Sequence, residues 1–239
     1  MNPSPSFVQG WRGWASGCNS RQVRVGILGG TGPAGSALAA RLSSVGIEVV
    51  IGSRSQERAS QAVQVLFERW PSRGLTLAAG TNETAAGADL VVVATPWEGA
   101  VVTVRQLTTL LEGKTVVTMV NAMSRWGDRF VPLIPPTGSV AVAIAGALPA
   151  SRVAGAFHHL PARPLGELDK RLDADVMVFS DHPAATEEVI GLIGRVPGLR
   201  GVDAGGLASA MAIESLTAVL VEVNRRYKVH ASLKVTGIE

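Results

Sequence analysis

The sequence predicts an α/β fold, a parallel sheet flanked by helices, followed by a smaller C-terminal α+β domain. Three observations predict it. Strand-like segments such as Leu90–Ala94 and Thr115–Val120 are unbroken apolar runs rather than alternating ones, so both faces of the sheet are buried. Segments with apolar residues at helical spacing alternate with these runs, the rhythm of a sheet covered by helices. Glycine is 27 of 239 residues and aromatics are only 5%, which suits repeated strand–turn–helix units with tight turns.

The elements follow in order. Residues 1–22 (MNPSPSFVQGWRGWASGCNSRQ) are rich in Pro, Ser and Gly and have no periodic apolar face. They read as a flexible leader or a misassigned start, with Trp11 and Trp14 as the residues that would dock on a partner otherwise. Val23–Leu28 is the first strand, and Leu38, Leu42 and Val45 mark the helix after it, ended by Gly46. EVVIG begins a second strand, and Ala59, Val63, Leu66, Phe67 and Trp70 line a second helix. A strand at Leu75–Ala79, a short helical piece at Glu83–Ala86, a strand at Leu90–Ala94, a helix at Trp97–Leu111 and a strand at Thr115–Val120 complete this half.

After Val120 the rhythm changes. Residues 121–138 (NAMSRWGDRFVPLIPPTG) read as a long loop, followed by the Ala/Val-rich stretch Val140–Leu148. Strands are expected at Val153–Phe157 and Val176–Phe179. A helix marked by Val189, Ile193 and Val196 has Pro183 in its first turn. The last helix carries Ile213, Leu216, Leu220, Val223 and Tyr227, with Val219 beside them. The expected organisation is a leader over 1–22, a nucleotide domain over 23–148, and a small substrate and dimerisation domain over 149–239.

Charge narrows the function classes. The net charge is +3, and Arg12 and Arg21 of the acid-free leader account for two of those charges. No basic stripe of the kind that tracks nucleic acid is expected. The longest uncharged stretch, Phe130–Ser151, is broken by Pro132, Pro135, Pro136 and Pro149, so no membrane span is expected there. A single cysteine, Cys18, excludes an internal disulfide framework and points to a reducing, cytoplasmic setting.

The strongest motif is Gly30-Thr31-Gly32-Pro33-Ala34-Gly35, a GxGxxG placed directly after the first strand and opening a helix. In that context it is the dinucleotide fingerprint of a Rossmann-type sheet: the glycines permit the tight turn, and the helix N-terminus favours a pyrophosphate. Pro33 suits the first helical turn, where no N–H is required. A merely structural glycine turn is the plainer reading. The tip of the second strand decides between nucleotides. An NAD site places a carboxylate there, whereas this chain reads Gly52-Ser53-Arg54-Ser55. A guanidinium beside hydroxyls complements the extra 2′-phosphate of NADP, although a solvated loop arginine would also explain Arg54.

The fourth strand ends in Ala94-Thr95-Pro96-Trp97, a loop that borders the nicotinamide half in this topology or simply starts a helix. The four histidines, at 158, 159, 182 and 230, lack metal-binding spacing, so no metal is expected. GxSxG and Walker motifs are missing from the sequence. His158-His159-Leu160-Pro161, just after a strand, is the one suggestive cluster; a pair of surface histidines is the ordinary alternative.

With these motifs assembled, the chain from Val23 to about Val235 resembles the F420-dependent NADP reductases. The resemblance rests on GILGGTGPAGSALAARL, GSR, ATPWEGA, FHHLPA and VDAGGLASAMAIESLT, in that order. It implies that Thr31, Ser53 and Arg54 hold the 2′-phosphate of NADP, and that Thr95, Pro96, Trp97, Asn121 and Ala122 line the cleft. It further implies that His158, Leu160 and Pro161 contact the deazaflavin coenzyme F420, with Leu207 closing on it, and that the protein is a homodimer. Residues 121–129 depart from the family's more apolar, Pro-containing stretch, which bears on the substrate more than on the nucleotide.

The implied reaction is hydride transfer between C4 of the nicotinamide and C5 of the deazaflavin. Both cofactors carry their own reactive carbons, so no catalytic acid or base is required and positioning is the protein's task. Two rivals stand beside it, because the fold is widely shared. One is an NADP-dependent reductase of another small acceptor, such as an imine or a metal chelate; the other is a non-catalytic NADP sensor.

Overall fold

The apolar runs become strands because both faces of each are covered: Val25, Ile27, Val49, Ile51, Leu90, Val92 and Val117 are fully shielded from solvent. The computed structural model describes residues 23–238, and the expected leader, with Trp11, Trp14 and Cys18, lies outside the described residues. The first half runs β1 (Arg24–Leu28), α1 (Pro33–Ser43), β2 (Glu48–Ser53), α2 (Gln56–Arg69), β3 (Leu77–Thr81), α3 (Asn82–Ala86), β4 (Leu90–Val93), α4 (Trp97–Gln106), α5 (Thr108–Leu111) and β5 (Thr115–Thr118). The second runs β6 (Met123–Trp126), β7 (Arg129–Pro132), α6 (Val140–Ala147), β8 (Arg152–Gly155), α7 (Ala162–Leu165), β9 (Ala174–Ser180), α8 (Pro183–Gly194), β10 (Leu199–Asp203) and α9 (Ala210–Tyr227).

Eight strands form one sheet in the order β10-β9-β8-β5-β4-β1-β2-β3. From β3 across to β8 every pairing is parallel; β9 then runs antiparallel to β8, and β10 parallel to β9. Strand order reverses between β1 and β4, so the crevice beyond their carboxyl ends is the place where this architecture takes ligands. This is the Rossmann-type sheet that the glycine motif and the apolar strands predict.

Several elements depart from the sequence reading. The expected loop at 121–138 contains an antiparallel hairpin, β6–β7, pairing Met123 with Pro132 and Trp126 with Arg129. Its residues are mostly exposed, so it lacks the apolar run that betrays a buried strand. The expected helix Trp97–Leu111 divides at Leu107, whose backbone (φ −111, ψ 9) is not helical. Strand β10 is not expected from the sequence, because Arg200 and Gly201 interrupt its short apolar pattern. The expected 148/149 boundary falls between α6 and β8, and strands on either side of it share the one sheet.

Two apolar layers sandwich the sheet. One joins Leu38, Leu42, Val49 and Ile51 to Leu160, Leu165, Val176 and Val189; the other joins Val91, Val93, Ala100 and Val104 to Val140 and Ile144. α9 docks beside α6, its buried residues being Ala210, Ile213, Glu214, Thr217 and Ala218. The stretch Leu207–Tyr227 is long and apolar enough to cross a membrane by length and composition, although Glu214 is buried within the protein on its docked side.

Candidate functional site

The parallel strands deliver their exits to one edge of the sheet. At the exit of β1, Gly29 has φ +66, a backbone that glycine adopts freely. A Cβ there would lie 2.7 Å from Thr95 Cγ2, so the missing side chain also lets the exits of β1 and β4 approach. The Gly29 N–H donates to Asn82 Oδ1 (3.1 Å), and the Gly30 N–H donates to the Gly52 carbonyl (2.9 Å). The glycine turn is thereby fixed from β2 and α3. Gly35 packs against Gly30 and Ala94, where a Cβ would meet Gly30 Cα at 2.8 Å.

α1 then starts at Pro33 with Gly32 in the capping position, and it has no side-chain cap and no acid in its first turn. Ser55, Thr81 and Ser139 cap α2, α3 and α6 through their hydroxyls, whereas α4, α7 and α8, like α1, start without a side-chain cap. The first amides of α1 and the positive end of its dipole are left for an anion outside the chain. Thr31 is half-exposed beside them. The residues present therefore fit a dinucleotide pyrophosphate.

At the exit of β2, Ser53 is buried and its hydroxyl accepts the Ser55 N–H at 3.3 Å. Arg54 is exposed and lines a cavity of about 150 Å³ with Thr81, Asn82, Glu83, Thr103 and Gln106. No ion pair within the described residues engages its guanidinium. At the exit of β4, Thr95 Oγ1 is buried without a hydrogen-bond partner, on a residue whose methyl and backbone pack against Gly29. Pro96 is exposed, and Trp97 packs half-buried against the second apolar layer.

The exits of β5 and β8 meet at a hydrogen-bonded knot. Asn121 Nδ2 donates to the His158 carbonyl at 2.9 Å, and Ala122 beside it is buried. Phe157 takes φ +66, uncommon for an aromatic residue, and turns the chain so that His158 lies flat on Phe179, centroids 5.3 Å apart. Phe179 in turn occupies the space over Gly155, where a Cβ would lie 2.0 Å from its ring. Leu160 is buried and Pro161 half-buried; both line a cavity of about 190 Å³ with Arg171, Asp173, His230 and Ser232. Leu207 packs against the cluster of Ala141, Phe179, Ala210 and Ile213, which includes the ring that His158 lies on. From the exit of β2 to that of β8 is four strand spacings, roughly 19 Å.

Neither histidine of the pair is a surface residue: His158 is 4% and His159 3% exposed. Burial, reinforced by His159, pushes the His158 imidazole down to about 3, and both its ring nitrogens lack a partner. His159 Nε2 donates to the Asp175 carbonyl at 2.8 Å, and burial also lowers its pKa. Both imidazoles are thus neutral at ordinary pH, suited to orienting a group and not to moving a proton.

Sequence reasoning missed several residues that build the site. Asn82 lies just before the short helical piece expected at Glu83–Ala86, and nothing local marks it as the acceptor of the Gly29 N–H. Thr217 donates to the His158 carbonyl or to Asn121 Oδ1, each 3.1 Å away. Glu214 accepts the amides of Val140 and Ala141 at 2.9 Å each, capping α6, while burial raises its pKa. Arg41, on α1, donates to the carbonyls of Pro164, Leu165, Glu167 and Lys170, tying α1 to the segment after Pro161. Nothing in local sequence marks such long-range partners.

Residues 24–122 match the family model described as NADP oxidoreductase, coenzyme F420-dependent. The chain is 33% identical over 223 residues to the F420-dependent NADP reductase of Methanocaldococcus jannaschii, covering 91% of this chain and all of that one. It is 32% identical to the F420-dependent NADP reductase of Methanothermobacter thermautotrophicus, over 90% of this chain and 96% of that one. A crystal structure from Arthrobacter sp. FB24, proposed to be an F420-dependent NADP reductase, superposes with a TM-score of 0.76 at 23% identity. That superposition covers 90% of this chain and 99% of the other, and shows the shared fold.

Proposed function

The chain belongs to the coenzyme F420-dependent NADP oxidoreductase family, and from that membership we infer that it transfers a hydride between NADP(H) and the deazaflavin coenzyme F420. It is an oxidoreductase, and its two co-substrates supply the reacting carbons of nicotinamide and deazaflavin. The chain's own residues bind, orient and exclude water.

On our reading the amides at the start of α1 and the loop Gly30–Gly35 take the pyrophosphate of NADP, and Thr31, Ser53 and Arg54 take the 2′-phosphate. Thr95, whose buried hydroxyl has no partner, and Pro96, Trp97, Asn121 and Ala122 border the nicotinamide end. His158, Leu160 and Pro161 then face the deazaflavin, with residues from 149 onward forming the substrate side and Leu207 closing it. The observation that carries this reading is the hydrogen bond from Asn121 to the His158 carbonyl. It brings Asn121 and His158 together from the exits of β5 and β8, next to the β1/β4 crevice, which supports reading the two half-sites as neighbours.

We also read the protein as a cytoplasmic homodimer that pairs through α9. Val219 and Tyr227 are well exposed, and Leu216, Leu220 and Val223 are only half-buried, a wide apolar stripe for a surface helix. The experiment that tests the function is a spectrum. Protein mixed with NADPH and oxidised F420 is expected to bleach the deazaflavin's visible absorbance as NADPH is consumed. Unchanged absorbance, with NADPH bound, would sink the deazaflavin assignment and leave only a nucleotide-binding protein.

A further inference from the structure

We propose that Thr217 is a positioning residue for the deazaflavin half of the site, its hydroxyl fixing the Asn121 amide and, through it, the backbone of His158. The proposal rests on reading the His158–Pro161 loop as the deazaflavin contact. Thr217 lies on α9, far along the chain from either partner, and is more than nine-tenths buried. Its Oγ1 is 3.1 Å from Asn121 Oδ1 and 3.1 Å from the His158 carbonyl, while Asn121 Nδ2 reaches that carbonyl at 2.9 Å.

The donor count decides what these three groups do. A hydroxyl has one proton, an amide nitrogen has two, and both carbonyl oxygens only accept. Nδ2 must therefore face the His158 carbonyl, because the flipped amide would set two acceptors against each other. Asn121 Oδ1 is then left needing a donor, and the Thr217 hydroxyl is placed to supply it. With that proton given, the amide is held in the orientation that grips His158.

The grip acts where the backbone is under strain. Phe157, one residue earlier, has φ +66, a conformation that costs an aromatic residue energy and persists only when its surroundings enforce it. The His158 ring lies on Phe179 with neither nitrogen engaged, so its place is set by the backbone beneath it and by that stack. Loosening the carbonyl of His158 loosens the imidazole. α9 thus bears, through Asn121, on the aim of the ring.

The test is steady-state kinetics with NADPH and oxidised F420, together with direct NADPH titration, for Thr217→Val, Thr217→Ser and His158→Ala. Losing one neutral hydrogen bond corresponds to about three- to tenfold in an equilibrium. Thr217→Val is expected to raise the F420 KM by that factor and lower kcat, with a smaller loss of NADPH affinity, because Asn121 borders only the nicotinamide end and the phosphates are held at α1 and at Ser53 and Arg54. Thr217→Ser, which keeps the hydroxyl, is expected to restore the F420 KM. Should Thr217→Val not fold, Thr217→Ala against Thr217→Ser reads the same contrast.

A serine variant no better than valine would make the role steric and overturn the proposal, as would equal losses for both substrates. If His158→Ala is impaired while Thr217→Val is not, the proposal alone fails. If His158→Ala leaves F420 KM and kcat unchanged, the loop is not the deazaflavin contact and the proposal falls with it.

Discussion

Replacing His158 by phenylalanine should flatten the acid limb of the stability curve. The imidazole is buried against Phe179, and burial lowers its pKa from 6.5 to about 3. A folded-state value below the unfolded one means the unfolded chain takes up the proton first. The stabilisation is therefore complete above about pH 6.5 and is lost as pH falls towards 3. At about 1.4 kcal/mol per pH unit, a drop to pH 5 removes roughly 2 kcal/mol, and the full span removes at most about 5 kcal/mol. Against a total stability of about 5–15 kcal/mol, such a loss is large. The assay is urea unfolding at pH 7.5 and pH 5 for wild type and His158→Phe, whose ring can stack on Phe179 but cannot titrate. Other titrating groups are common to both proteins and cancel, apart from the coupling of His159 to His158, which disappears with the imidazole. Wild type should lose about 2 kcal/mol more than the variant over that interval. Equal losses would show that His158 is solvated or repartnered when protonated, and the burial argument would be wrong.

Three further outcomes follow from the site. Arg54→Ala should weaken NADPH binding about 10- to 100-fold, since a charge-assisted bond to phosphate is worth about 1.5–3 kcal/mol, while NADH binding should barely change; titration of both nucleotides checks it. Asn82→Ala strands the Gly29 N–H, so NADPH affinity should fall about three- to tenfold with a loss of about 1 kcal/mol in stability; intact affinity would show that the glycine turn holds itself. Val219→Glu on the exposed face of α9 should convert a dimer to a monomer by light scattering at micromolar concentration, and a monomeric wild type would refute that interface outright.

The nucleotide half was legible because its signals are local. Val25, Ile27, Leu90 and Val92 form unbroken apolar runs since parallel strands are buried on both faces, and periodicity reads that directly. The glycine loop and the acid-free tip at Ser53-Arg54 are contiguous segments, and their chemistry needs no knowledge of distant residues. The C-terminal half was less legible for a physical reason. Exposed strands such as β6 and β7 lack an apolar run, and β10 is interrupted by polar Arg200. Length and composition do not say that β8 and β9 pair antiparallel, or that they extend the same sheet.

The sequence by itself determined the fold class and the glycine turn after β1, because each depends on neighbours in the chain. Only the tertiary structure decided the surroundings of His158. His158 reads as a loop histidine in FHHLPA, and its burial comes from Phe179 lying over Gly155, residues that share no local pattern with it. Asn82, Thr217 and Arg41 likewise acquire their partners 53, 96 and 124 residues away. Hydrogen bonds of that reach depend on which strands become neighbours in the sheet, and strand order is settled by packing rather than by any single segment of sequence.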